Sequence, residues 1–154
     1  MHDALVLTHS WLRWIILGSG IYITLHLLHL CLARRPWRGG DNYLVWAFGR
    51  AFLYQVLFGL LLYIMLSATR PSILPKHELD SRLGHPIHWP LVHGLGMFAA
   101  LAFFHGGKSI IYRRIPPRHR APACLVLMLG TLSIIAAAIP WPFLNFGRPL
   151  FRLP

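Results

Sequence analysis

The chain has 154 residues, of which 56% are hydrophobic and 12% charged, and its formal net charge is +11. Soluble domains carry about twice that charged fraction, so the composition excludes an ordinary soluble domain and indicates a membrane protein. In a soluble protein, 15 Lys and Arg against four acids would favour a nucleic-acid partner. Here the basic residues lie between apolar stretches, so we expect no nucleic-acid binding and interpret them as a topology signal.

Four apolar stretches reach the length of about 20 residues that a bilayer crossing needs. They cover approximately residues 11–33, 43–68, 89–112 and 122–141. Proline, glycine and charged residues separate them, as expected of connections between helices. The sequence therefore predicts a single all-α transmembrane domain, residues 1–154, folded as a four-helix bundle.

The basic residues divide unevenly between the two predicted sides of the membrane. The denser side carries Arg34, Arg35, Arg38, Arg113, Arg114, Arg118 and Arg120, and the other side carries Arg70, Lys76, Arg82, Arg148 and Arg152. The side richer in Lys and Arg faces the cytoplasm. We therefore expect a multi-pass protein of a bacterial inner (cytoplasmic) membrane, with both termini on the outer (periplasmic) side.

Histidines are the main chemical signal, since ten occur in the chain and several lie at membrane depth. Ionisable groups inside a bilayer are costly and indicate function, and neutral imidazole is a good ligand for haem iron. His26 lies eight residues before Arg34 in the first span, and His105 lies eight residues before Arg113 in the third. Because both spans run inward, this spacing predicts one depth and an inner bis-histidine haem b.

A second pair is predicted near the outer surface. His9 lies 25 residues before Arg34, whereas His93 lies 20 and His88 lies 25 residues before Arg113. We expect His9 to pair with His93, because His93 lies within a helix, and His88 is the alternative. The sequence thus predicts one or two haem b groups.

Other residues are candidates for supporting roles. His29, one helical turn beyond His26, is an alternative ligand or a propionate partner, and Arg13 and Arg50 are candidates to neutralise propionates at the outer and inner sites. Snorkelling to the interface is the alternative role for both arginines. A quinone is a further candidate ligand, with Gln55, Tyr54 and Tyr63 as possible pocket residues. We expect all four acids to lie outside the apolar cores, which excludes a pump-type proton relay.

Three motifs resemble a family of small four-span bacterial membrane proteins described as b-type cytochrome-like. They are His9-Ser10-Trp11-Leu12-Arg13-Trp14, His93-Gly94-Leu95-Gly96-Met97 followed by His105, and Ile139-Pro140-Trp141-Pro142 with Gly147-Arg148. The resemblance implies special roles for His9, His93 and His105, with Arg13 beside them. The family has an acid and a proline around the third-span histidine, where this chain has Val92 and Gly94.

These patterns favour a haem b-binding subunit that transfers electrons, between quinol and a larger respiratory or photosynthetic complex. Six-coordinate haem has no open site, so electron transfer fits better than oxygen chemistry. A chain with so little extramembrane mass is expected to work with other membrane subunits and with lipid. Two alternatives remain: a structural or pigment-contacting subunit of such a complex, and a copper-handling protein that uses the outer histidines and the 77–88 loop.

Overall fold

The protein is a bundle of four long helices in the computed structural model, which describes residues 2–69, 89–139 and Trp141. The helices are α1 (His2–Leu32), α2 (Gly39–Thr69), α3 (Trp89–Arg114) and α4 (Arg120–Ala138), with a 3₁₀ turn at Pro117–His119. All four are long and apolar enough to cross a membrane, and the described ranges contain no strand. The predicted all-α, four-span, multi-pass fold is confirmed.

The helices begin and end close to the predicted spans, except at the start of α1. This helix begins at His2, nine residues before the predicted span, because no proline or glycine interrupts the chain before the apolar run. It ends at Leu32, and Arg34 follows with a positive φ of 49°. Pro36 and Pro116 then lie in the two short connections, where a proline disfavours continuation of the preceding helix.

Each helix packs against two neighbours, so the four helices form a square. The neighbouring pairs are α1 with α2, α2 with α3, α3 with α4, and α4 with α1. Within the described ranges, no Cα atom of α1 lies within 8 Å of one of α3, so these two helices stand on a diagonal. We call the end with the starts of α1 and α3 the amino end, and the end with the two short connections the arginine end.

The middle of the bundle is filled by an aromatic layer made of Phe48, Phe52 and Phe104, which are at most 2% exposed. The Phe48 ring lies 5.9 Å from that of Phe52 and 5.2 Å from that of Phe104, in tilted and edge-to-face geometry. At Gly49 a Cβ atom would lie only 2.6 Å from Phe104 Cε1. The glycine therefore allows α2 and α3 to approach closely here.

The arginine end is closed by contacts between the two short connections. The Trp37 ring meets the Tyr112 ring edge-on at 6.5 Å, and the Arg120 guanidinium donates to the carbonyl oxygens of Ile115 and Tyr112. The outward faces of the helices carry many exposed aliphatic and aromatic residues, such as Leu25 and Val126. A lipid-facing surface has this composition.

Candidate functional site

His9 and His93 share one level near the amino end of the bundle. The aromatic layer gives the reference, because a Cβ on Gly20 would contact Phe48 and because Phe48 packs on Phe104. His9 lies 11 residues before Gly20, and His93 lies 11 residues before Phe104. At about 1.5 Å per residue, both imidazoles lie about 16 Å from the aromatic layer on the same side.

These two histidines also lie on the interior faces of diagonal helices. His9 continues the buried line of Ile16 and Ile23 along α1, and His93 continues that of Ala100 and Phe104 along α3. Both lines face the interior of the bundle, and the two imidazoles are close enough that a positive charge on one would repel a positive charge on the other. The structure thus brings together the pair that the sequence predicts at the outer site.

One ring nitrogen of His93 is held by a backbone carbonyl on α4. Its Nδ1 lies 2.7 Å from the carbonyl oxygen of Ala138 on α4. A carbonyl only accepts, so Nδ1 carries the hydrogen, and Nε2 of the neutral ring carries the lone pair. Histidines that ligate metals commonly have this arrangement, with a backbone carbonyl fixing the tautomer and the ring orientation.

His9 is packed tightly against α2. A Cβ on Gly59 would lie 3.0 Å from Cε1 of the His9 ring, so glycine is the residue that leaves room for the imidazole. Within the described part of the chain, the buried Nδ1 of His9 has no hydrogen-bond partner. Buried polar atoms almost always have a hydrogen-bond partner. This nitrogen can therefore bind a ligand directly or form a hydrogen bond with a bound molecule.

Gln55 supports His9 from α2, a link that the sequence does not reveal. Its side chain is 7% exposed, and its Nε2 donates to the backbone carbonyl of His9 at 3.1 Å. Its buried Oε1 accepts no hydrogen bond from the described residues. The only sequence signal for this contact was the presence of a glutamine within a predicted span. Tyr54, the preceding residue, is 54% exposed, so Gln55 and Tyr54 lie on different faces of α2.

Arg13 lies one helical turn from His9, as the sequence indicates. It interacts electrostatically with His9, and its guanidinium carbon lies 5.4 Å from the centroid of the Trp14 ring. A cation beside an imidazole pair is suited to an anionic group on a bound molecule.

The predicted inner pair differs from this arrangement, because His26 and His105 do not share a level. His105 adjoins Phe104 of the aromatic layer, whereas His26 lies six residues beyond Gly20 towards the arginine end. Because His105 lies one residue beyond Phe104 in the same direction, the two positions are five residues, or about 7.5 Å, apart along the bundle. The basic residues beyond each span misled the depth estimate because their long side chains reach the interface from different depths.

His26 has a carboxylate partner instead. Its Nε2 lies 2.8 Å from Oδ1 of Asp41 in the first turn of α2. Oδ2 of the same carboxylate accepts from the backbone N–H of Arg38 at 2.7 Å. Asp41 is 7% exposed, so the expectation that every acid lies outside the packed core is wrong. The sequence signal was an acid just after a Gly-Gly pair, a favourable place at a helix N-terminus.

The remaining predicted site residues lie apart from the His9–His93 pair. His105 interacts with the Gly49 backbone and lies near Arg50 and Lys108, on the side of α3 that faces α2. His29 is exposed on α1, and Arg50 is exposed on α2. His88 and the 77–88 loop lie outside the described residues.

Two further findings bear on the chemistry of this site. Within the described ranges, no three His, Cys, Asp or Glu side chains cluster as a metal site, but a haem iron takes only two axial ligands from a protein. Comparison of the chain with protein families, with characterised proteins and with solved structures gave no match.

Proposed function

We propose that the protein binds one haem b between His9 and His93 and transfers electrons as a subunit of a larger membrane oxidoreductase. The observation that carries this proposal is the paired imidazoles at one level, one of them with Nδ1 fixed by a backbone carbonyl. Haem would supply one-electron chemistry at this level. The proposed family is that of small four-span cytochrome b-like proteins in a bacterial inner membrane, with quinol as the candidate electron source.

The residues of this chain have separate tasks in the proposal. His93 would bind the haem with its ring held at Nδ1 by the Ala138 carbonyl, and His9 would bind it from the diagonally opposite helix with Gly59 behind its ring. Arg13 offsets negative charge on the propionates. Two histidine ligands would leave the haem iron without an open site, which favours electron transfer over oxygen activation.

The same geometry favours one haem over two. The inner pair that the sequence suggests would need His26 to leave Asp41 and to cover about 7.5 Å along the bundle. Charge-assisted hydrogen bonds of the His26–Asp41 kind are the stronger ones in proteins. The proposal therefore assigns His26 to the arginine end and leaves His105 outside the haem site.

The test is a reduced-minus-oxidised absorption spectrum of the purified protein, with haem quantified per polypeptide. We expect a low-spin haem b spectrum at one haem per chain. His9→Ala and His93→Ala should each lose it, whereas the matched controls His29→Ala, on the same helix as His9, and His105→Ala, on the same helix as His93, should keep it.

Other outcomes would point to other functions. A colourless protein with normal helix content would favour a structural subunit, and a chlorophyll-type spectrum lost only with His93→Ala would favour pigment contact. Bound copper without porphyrin would favour metal handling. A haem spectrum lost with His105→Ala but kept with His9→Ala would contradict the assignment of the ligands.

A further inference from the structure

Two cationic side chains lie in the groove between α2 and α3, next to the aromatic layer on its arginine-end side. Arg50 projects from α2 and Lys108 from α3, and electrostatic interactions join them to each other and to His105. A long helical side chain leans towards the N-terminus of its own helix. Because α2 and α3 run in opposite directions, the two side chains lean towards each other.

The ring contacts fix where each charge lies. The Arg50 guanidinium carbon lies 5.0 Å from the centroid of the Trp46 ring, one turn nearer the arginine end. The Lys108 ammonium lies 5.8 Å from the centroid of the Phe104 ring, one turn nearer the amino end. The Arg50 charge therefore lies beside Trp46 and the Lys108 charge beside Phe104, so the two side chains lie alongside each other in the groove near Gly49.

This pair of cations has no counterion within the described residues. The ion pair that the described residues form is that of His26 with Asp41, and neither Arg50 nor Lys108 contacts a carboxylate there. Like charges held close together in surroundings of low polarity repel strongly. An anion bound between them would remove that repulsion.

The depth of the groove indicates the source of the anion. Helix α2 has 31 residues and is about 46 Å long, some 16 Å more than the hydrocarbon core of a bilayer. Trp46 lies seven residues into it, about 10 Å from its start, which is close to the boundary of the core. Exposed Tyr43 stacks on Trp46 at 6.0 Å, and such aromatic residues are typical of the membrane interface.

We propose that this groove binds the phosphate of an anionic phospholipid between Arg50 and Lys108, with the acyl chains along the apolar faces of α2 and α3. The Arg50 guanidinium beside Trp46 lies at the hydrocarbon boundary, next to the level of lipid phosphates, and the Lys108 ammonium lies about one helical turn deeper, beside Phe104. A zwitterionic lipid would bring its own ammonium towards Arg50, so a headgroup with net negative charge fits better. The site is independent of the haem pair at the amino end.

The experiment measures lipid binding to the detergent-purified full chain by native mass spectrometry. Phosphatidylglycerol and phosphatidylcholine with the same acyl chains are added in turn. We expect the first phosphatidylglycerol to bind more tightly than phosphatidylcholine, and Arg50→Gln and Lys108→Gln each to weaken it about fivefold, the effect of one surface cation. Lys108→Arg keeps the charge and should keep the affinity.

The matched control is Arg114→Gln, which removes one positive charge from an exposed side chain at the arginine end. It should change the affinity less than twofold, an order-of-magnitude expectation for a charge outside the groove. An equal loss in the control, equal binding of the two lipids, or a loss in Lys108→Arg would overturn the proposal. Displacement of the lipid by inorganic phosphate would show that the groove takes a free anion. Circular dichroism checks that each variant keeps its helices.

Discussion

Gly59→Ala tests the haem site at the point where the structure leaves least room. The new Cβ would lie 3.0 Å from Cε1, 3.5 Å from Nδ1 and 3.8 Å from Nε2 of His9. Carbon atoms in contact prefer about 3.5–4.0 Å, so the imidazole must retreat by about 0.5 Å. A functional site must hold its groups within about 0.5 Å of the productive geometry, so a shift of this size reaches the limit.

The substitution has two opposing effects on the free energy. Overpacking costs about 1–3 kcal/mol, and replacing a helical glycine by alanine returns at most about 1 kcal/mol. The helix contribution is the same with and without haem, so the haem affinity reflects the overpacking alone, about 2 kcal/mol in the state in which His9 stays in place to bind. We therefore expect haem affinity to fall about 30-fold, since 1.4 kcal/mol corresponds to tenfold.

The assay is titration of the apoprotein with haemin, followed by the Soret absorbance per polypeptide. Gly18→Ala is the matched control, because a Cβ there would meet no atom within 4 Å and the helix gain is the same. The reasoning would be refuted if Gly59→Ala bound haemin as tightly as the unaltered chain, or if Gly18→Ala weakened binding equally.

Three other substitutions probe the fold and its orientation. Asp41→Asn should lower the free energy of unfolding by about 1.5–3 kcal/mol, the usual contribution of a hydrogen bond to a charged group. Thermal unfolding measures this loss. An equal further loss when His26→Ala is added to Asp41→Asn would contradict the pairing of the two residues. Phe104→Ala should cost about 3–5 kcal/mol by opening a cavity, whereas Phe98→Ala, which is 45% exposed, should cost much less in the same assay. Arg35→Cys, on the exposed turn after α1, should react with an impermeant thiol reagent only from the cytoplasmic side; labelling from the outside would reverse the predicted topology.

The sequence predicts the helices well because their signal is local. Long apolar runs bounded by prolines and charges predict four spans whatever their packing, and the structure places the ends of α2 and α3 within four residues of the prediction. The start of α1 was missed because polar residues such as Thr8 and Ser10 shorten an apolar run without ending a helix.

The site was harder to predict because it depends on how the helices are staggered. Counting from Arg34 and Arg113 favoured His26 with His105 and left His9 and His93 five residues apart. The contacts of the aromatic layer reverse this result and bring His9 level with His93. Relative depth depends on packing between helices, such as that at Gly49, and one sequence carries no local signal for it.

The pairing of Asp41 with His26 escaped prediction for the same reason. Each residue has an ordinary local explanation, one as a helix-start acid and the other as a membrane histidine. Their 2.8 Å contact joins positions 15 residues apart across a turn, and it exists only because the short connection folds α2 back beside α1.

The diagonal arrangement of α1 and α3 has a mechanical consequence. Their backbones never meet in the described residues, so at the amino end each is held only through α2 and α4. An iron atom bonded to both His9 and His93 would join the two diagonal helices directly. Haem binding would then make the amino end more rigid, while the aromatic layer and the arginine end kept their shape.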